Sequence, residues 1–157
     1  MKHTVFVLVE NKPGVLARIA GLFSARGFNI DSLAVGETND PTVSRMTIIV
    51  DAKDEKILEQ IKKQLHKLID VITVGDLTTK EFFERELILL KIDTSSTNKQ
   101  KLDEMLEKFS GKILAHDQQV AIVEVTGSKG EINELLGLLS EMGIKELVRT
   151  GRIAIAK

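Results

Sequence analysis

The apolar residues of this chain switch between the strand period and the helix period in a set order, and that order runs through twice. Residues 4–9 read as a strand. A helix from about 13 to 26 follows, with Leu16, Ile19, Ala20 and Phe23 on one stripe. Pro13 suits its first turn, where a missing N–H is no loss, and Gly27 suits its stop. Residues 28–35 and 43–50 read as strands on either side of the turn-rich Thr38-Asn39-Asp40-Pro41. A second helix, about 54 to 67, turns Ile57, Leu58, Ile61 and Leu65 inward. Lys62, Lys63 and Lys67 near its end complement the negative pole of the helix dipole. Residues 71–74 close the unit as a fourth strand.

After residues 76–80 the order begins again. Residues 86–92 are a strand, and Thr97-x-x-Gln100 has the form of a capping box. The helix behind it aligns Leu102, Met105, Leu106 and Phe109 and stops at Gly111. Residues 112–116 and 120–125 form a hairpin around Asp117-Gln118-Gln119. Ser128-x-x-Glu131 is a second capping box, opening a helix with Ile132, Leu135, Leu136 and Leu139 that ends at Gly143. Residues 144–148 are a strand, and 153–156 a short extra one. The 157 residues thus divide into two tandem ferredoxin-like βαββαβ units of the α+β class, residues 1–77 and 78–157. Helices on one face leave the other face of each sheet bare, yet Val5, Phe6, Val7, Leu8 and Val9 are apolar on both sides. A strand buried on both faces reads as such a continuous run. The expectation is a dimer or larger assembly that covers the bare face.

Several function classes are excluded. No run approaches the roughly 18–20 apolar residues of a membrane span. The first residues carry no signal-peptide pattern, so a cytoplasmic address is expected. Cysteine is absent, which removes disulfides and thiolate chemistry. Net charge is −1 with the two signs interleaved, and Trp and Tyr are absent, so neither a basic face nor a stacking platform for nucleic acid is legible. His3, His66 and His116 stand at no metal-binding or catalytic spacing and read as solvated residues at strand or helix ends. Thr126-Gly127-Ser128-Lys129-Gly130 lacks the two-glycine spacing of a phosphate loop, and Ser128 is explained as a helix cap. No nucleophile, base or metal cluster marks an active site.

One loop carries chemical promise. Glu10-Asn11-Lys12-Pro13-Gly14-Val15-Leu16 joins the first strand to the first helix, where unpaired N–H groups and the helix dipole favour an anion. Gly14 lets a ligand carboxylate approach the backbone. The charge–dipole term is worth about 0.3–1 kcal/mol when exposed and up to ~2 when partly buried, so side-chain partners are needed. Asn11 can accept from an ammonium or donate to a carboxylate. Asn29 belongs at the far end of the first helix and can reach the same ligand only from a neighbouring chain. A ligand-free reading stands beside this one: Asn11 as the cap of a helix-opening turn and Asn29 as a turn residue.

The run Glu10-Asn11-Lys12-Pro13-Gly14-Val15-Leu16-Ala17-Arg18, with Phe23, Arg26-Gly27-Phe28-Asn29-Ile30 and Ser32-Leu33, resembles the ACT domain. More narrowly, it is similar to the version in the small-subunit family of acetolactate synthase. Ser44-Arg45-Met46-Thr47 and residues 59–71 carry the same likeness. In the second half, Glu86-Leu87, Glu124-Val125-Thr126-Gly127 and Arg149-Thr150-Gly151 carry it further. The resemblance implies a regulatory subunit without catalysis of its own, paired with a large catalytic subunit that holds thiamine diphosphate, magnesium and FAD. It implies a homodimer whose ACT sheets lie side by side, with valine or a related branched-chain amino acid bound between Asn11–Leu16 of one chain and Asn29-Ile30 of the other. Gly14 and Val15 would then meet the carboxylate, Asn11 and Asn29 the polar ends, and Leu16 and Ile30 the side chain. Two competing readings are a stand-alone ACT-type sensor controlling another enzyme or transcription, and a small metabolic enzyme on a ferredoxin-like scaffold. The first lacks a DNA-binding element and the second lacks any reactive cluster.

Overall fold

A computed structural model describes residues 2–52, 55–95 and 99–157. Its elements are β1 (Lys2–Glu10), α1 (Val15–Ser24), β2 (Ile30–Glu37), β3 (Val43–Asp51), α2 (Glu55–Leu65) and β4 (Val71–Asp76), then β5 (Phe82–Asp93), α3 (Lys99–Lys108), β6 (Lys112–His116), β7 (Val120–Gly127), α4 (Lys129–Leu139), β8 (Ile144–Arg149) and β9 (Ile153–Ala156). The strand order is β2-β3-β1-β4 in the first sheet and β6-β7-β5-β8 in the second, the same topology used twice. Both sheets are antiparallel along these paths. The α+β ferredoxin-like duplication is therefore present in the fold.

Alternation decides which side of each sheet is core. In the first unit Val5, Val7 and Val9 of β1 and Met46, Ile48 and Val50 of β3 turn to the helices. There they meet Val15, Ile19, Leu22 and Phe23 of α1 and Leu58, Ile61 and Leu65 of α2. His3 shares the parity of Val5 and goes inward with it. The expected solvated residue is 2% exposed, and neither ring nitrogen has a hydrogen-bond partner. His66 and His116 are exposed as expected. The second unit repeats the scheme with Ile88, Leu90 and Ile92 of β5, Ala121, Val123 and Val125 of β7, and Ile132, Leu135 and Leu139 of α4.

Caps account for the element ends. The Ser128 box is complete: Glu131 N–H donates to Ser128 Oγ, and Ser128 N–H donates to Glu131 Oε2 at 2.7 Å. Thr97 of the other expected box lies outside the described residues, as does the start of the second helix at Asp54. Helix α1 begins at Val15 rather than Pro13, because Gly14 is left-handed at φ 83° and breaks the helical run. At its end Phe28 N–H donates to Phe23 O and Gly27 N–H to Ser24 O, the Schellman pattern around a left-handed Gly27. The same pattern ends α3, with bonds from Gly111 to Leu106 and from Ser110 to Glu107, but there the left-handed residue is Ser110. Gly111, read as the stop, is needed for room: a Cβ there would lie 2.8 Å from Leu106 Cδ2.

The chain's compact units are Met1–Phe83 together with Arg152–Lys157, and Glu84–Gly151. The sequence reading draws its boundary between 77 and 78 and assigns everything after it to the second unit. Two hydrogen bonds account for the return of the tail. Arg152 N–H donates to Ser32 Oγ at 3.0 Å, and Arg45 Nη2 donates to the Ala154 carbonyl at 2.8 Å. Ser32 and Arg45 stand on the face of the first sheet turned away from the helices. That face, expected to be bare, is thus crossed by the chain's own tail. The Arg45 guanidinium lies 4.1 Å over the Phe6 ring on the same face. Phe6 in turn lies across Gly75, its neighbour on β4, where a Cβ would fall 2.0 Å from Phe6 Cε1. Strand β9 pairs β5, and Lys157 N–H donates to the Glu81 carbonyl.

Candidate functional site

The loop between β1 and α1 is fastened on two sides. Asn11 N–H donates to the Thr42 carbonyl at 2.7 Å. Its side-chain Nδ2 donates to the Pro41 carbonyl at 2.9 Å and to Glu37 Oε1 at 3.3 Å. Asn11 therefore ties the loop to the end of β2 and the β2–β3 turn rather than capping α1. That turn is itself braced by Asp40, whose carboxylate accepts from the Thr42 hydroxyl and N–H, bonds that lower its pKa. Lys12 reaches back to Glu10 Oε2 at 2.7 Å, and that bond raises its pKa.

Gly14 is the cap position of α1, and no side chain caps the helix there. The first-turn N–H groups of Leu16 and Ala17 precede the first helical bond, from Arg18 N–H to Gly14 O, and point out of the helix end. Val15 is buried and anchors the turn in the core, whereas Leu16 is 45% exposed beside it. The arrangement offers backbone donors, a positive dipole end and an exposed apolar side chain within one turn, a set suited to the carboxylate and aliphatic ends of a small amino acid.

Arg18 is a residue that sequence reasoning missed. Its Nε donates to Asp70 Oδ2 at 2.8 Å, and Asp70 is buried while Arg18 stays half-exposed. Nη1 stands 3.3 Å from where a Cβ on Gly14 would be. A cation is thus held over the helix opening by a carboxylate 52 positions away. Helical spacing from Gly14 to Arg18 was the available signal.

Asn29 and Ile30 are not brought to this loop within one chain. Ile30 pairs Val50, which pairs His3 at the start of β1, whereas Asn11 follows the end of β1. Strand β2 is 8 residues long, so at about 3.3 Å per residue its ends stand roughly 23 Å apart. Ile30 leans on the core, and exposed Asn29 donates from Nδ2 to Asp31 Oδ1 at 2.8 Å. Asp31 also pairs Lys2 at 3.0 Å; the Lys2 bond chiefly, with Asn29 second among the bonds, lowers its pKa. The six predicted residues therefore fall into two groups at opposite ends of an edge strand. Among the described residues there is no group of three His, Cys, Asp or Glu able to hold a metal ion, and no helix long and apolar enough to cross a membrane.

Residues 6–73 match the family described as the AHAS small subunit-like ACT domain, and residues 85–157 match the family described as the small subunit of acetolactate synthase. A probable acetolactate synthase small subunit of Archaeoglobus fulgidus is 46% identical over 157 residues, covering 100% of this chain and 98% of that protein. One from Methanothermobacter thermautotrophicus is 46% identical, covering 99% and 92%. The crystal structure of the acetolactate synthase small subunit from Thermotoga maritima superposes with a TM-score of 0.90 at 38% identity, covering 100% of this chain and 98% of that one.

Proposed function

The chain belongs to the acetolactate synthase small-subunit family, the regulatory partner of a large catalytic subunit, and from that premise we propose that it works as a two-fold dimer that binds valine and sets the activity of the catalytic subunit. The observation that carries this reading is the tie from Asn11 to Glu37 and Pro41. It fixes the ligand loop to one end of β2, while Asn29 and Ile30 begin the other.

Strand β2 is an edge of the first sheet, with one side free to pair. Antiparallel pairing of β2 with a second copy about a two-fold axis brings Ile30 opposite Glu37 of the partner subunit. Each Asn29-Ile30 then comes beside an Asn11–Leu16 loop, and two sites form that neither copy has alone. In each, the N–H groups of the Gly14-Val15 turn and the Arg18 guanidinium favour the carboxylate. Asn11 and Asn29 supply polar contacts, and Leu16 and Ile30 supply apolar surface. Leucine differs from valine by one methylene, worth about 1–3 kcal/mol in such a pocket, so discrimination among branched-chain amino acids is modest.

A ligand at that interface shifts the complex only by binding two of its states with different affinity. A coupling of ~1–3 kcal/mol is typical and changes activity several-fold or more. In this reading the chain raises the activity of the catalytic subunit and valine reverses the effect. Thiamine diphosphate, magnesium and FAD belong to the catalytic subunit. Two mixtures test the reading. Asn11→Ala and Asn29→Ala chains each lose valine binding alone, but mixed and allowed to exchange they regain part of it, since each heterodimer has one site with both asparagines. Acetolactate formation by the catalytic subunit follows the same pattern across a valine titration. Failure to complement, with both variants folded, would place the two asparagines in separate sites and end the proposal.

A further inference from the structure

Two buried carboxylates of this chain are each met by an arginine, and the two arginines meet them differently. Glu86 is 4% exposed, and Arg149 grips it through Nε and Nη2 together, one donor to each oxygen. Asp70 is 7% exposed, yet among the described residues Arg18 gives it Nε alone, at 2.8 Å. The two-pronged pair is the stronger arrangement for a carboxylate that has lost its water. Arg18 forgoes it, and its Nη1 instead stands 3.3 Å from where a Cβ on Gly14 would be. A guanidinium carries five N–H donors in a rigid plane. With Nε–H given to Asp70, the Nη donors lie over the bare backbone of Gly14, placed for a second carboxylate. Lys12, the other cation of the loop, is turned back onto Glu10.

Asp70 does more than neutralise Arg18. Its carbonyl accepts from Glu10 N–H at 2.9 Å, where β1 gives way to the ligand loop. Asp70 therefore holds the loop at both ends, through the main chain where the strand enters it and through Arg18 where the helix leaves it. Removing one partner of a buried ion pair is costly, so the carboxylate keeps the arginine in place. A long side chain fixed beforehand also loses less freedom when a ligand binds. We infer, on the effector site proposed above, that Asp70 is a positioning residue: it aims the Nη donors of Arg18 at the carboxylate of a free amino acid, so that the site selects that ion over its uncharged derivatives. Gly14 belongs to the same device, since a side chain there would crowd Nη1.

The test uses the full chain with valine and valinamide as probes, affinity read by calorimetry and folding by thermal melting. Valinamide keeps the side chain and the amine and lacks the carboxylate charge. Arg18→Lys keeps a cation for Asp70, so the buried carboxylate is not orphaned, but its nitrogen ends one bond short of the Nη atoms. Valine binding should weaken about tenfold to hundredfold in this variant, the worth of a hydrogen bond between charged groups, while valinamide binding stays nearly unchanged. Asp70→Asn keeps the shape and removes the charge. It should shift the preference the same way, and add little once residue 18 is already lysine, because the two groups act through one contact. A wild-type preference for valine over valinamide in either single variant overturns the inference, since Arg18 would then serve only to neutralise Asp70. Equal weakening of both probes overturns it too, as the sign of a role in folding the loop alone. In both cases the shared valine site stands. A wild-type chain that binds neither probe ends the effector site itself.

Discussion

Gly75 shows how one missing methyl group holds a stack together. The Phe6 ring lies flat across it, the Arg45 guanidinium lies on the ring, and Arg45 donates to the Ala154 carbonyl. In Gly75→Ala the new Cβ would lie 2.0 Å from Phe6 Cε1, so the ring must leave. We expect a loss of about 1–3 kcal/mol, typical of overpacking, read as a lower urea midpoint with an unchanged slope. Such a role is legible in sequence only as a glycine inside a strand, which signals close approach without naming what approaches. Residues whose roles follow from local geometry were readable: Ser128 and Glu131 as a capping box, Gly27 as a left-handed stop, Gly14 as the bare point of a helix opening. The loop that holds Asn11 is legible in the sequence, but its partners are not, since Pro41 and Glu37 lie 30 and 26 positions away. His3 departs from its expected exposure for a related reason. Its position at a strand end suggested solvent, and only its parity with Val5 carried the contrary signal.

At the scale of elements, periodicity located the strands and α-helices described in both units, and their disagreements are confined to ends. Strand β5 begins at Phe82 rather than 86, where β9 supplies a partner that no local pattern announces. The stop of α3 is one residue earlier than Gly111, with Ser110 at φ 53°. A non-glycine residue in that region costs about 1–2 kcal/mol, partly offset on substitution by the greater freedom of glycine in the unfolded chain. Ser110→Gly should therefore stabilise the protein by about 0.5–1 kcal/mol, a rise of a few degrees in Tm by calorimetry. A melting temperature that falls would mean the Ser110 side chain contributes more than its backbone strain removes. The motif residues of the second half also have a structural account. Arg149 grips the buried carboxylate of Glu86 through Nε and Nη2, and the Thr150 hydroxyl bridges to Leu87.

The molecule as a whole is less a string of two domains than its repeat suggests. The chain leaves the first unit at Phe83, completes the second, and returns at Arg152. Repeat length is visible in a sequence, but which side of a boundary a tail packs on is not. Ile153–Ala156 was readable as a strand, while Ser32 and Arg45 gave no sign of being its anchors. Ending the chain after Gly151 removes both anchoring bonds and leaves the Arg149–Glu86 pair intact. Hydrogen exchange should then speed up in β2 and β3 and stay unchanged in β7 and α4. Equal acceleration in both units would mean the tail stabilises the molecule globally rather than the first sheet.

The return of the tail also has a consequence for how the protein is made. Arg152 and Ser32 are 120 positions apart, so the bond between them closes one of the longest loops the chain can form. Strands β1 to β4 leave the ribosome well before β9 exists, and contacts this far apart in sequence are slow to form. The first unit must therefore wait, with Ser32 and Arg45 lacking the partners the tail brings, until the second has been synthesised. A nascent chain stalled before residue 152 would hold the whole first sheet without the segment that bonds to Ser32 and Arg45, so the last step in completing the first unit comes only once translation has passed the last strand.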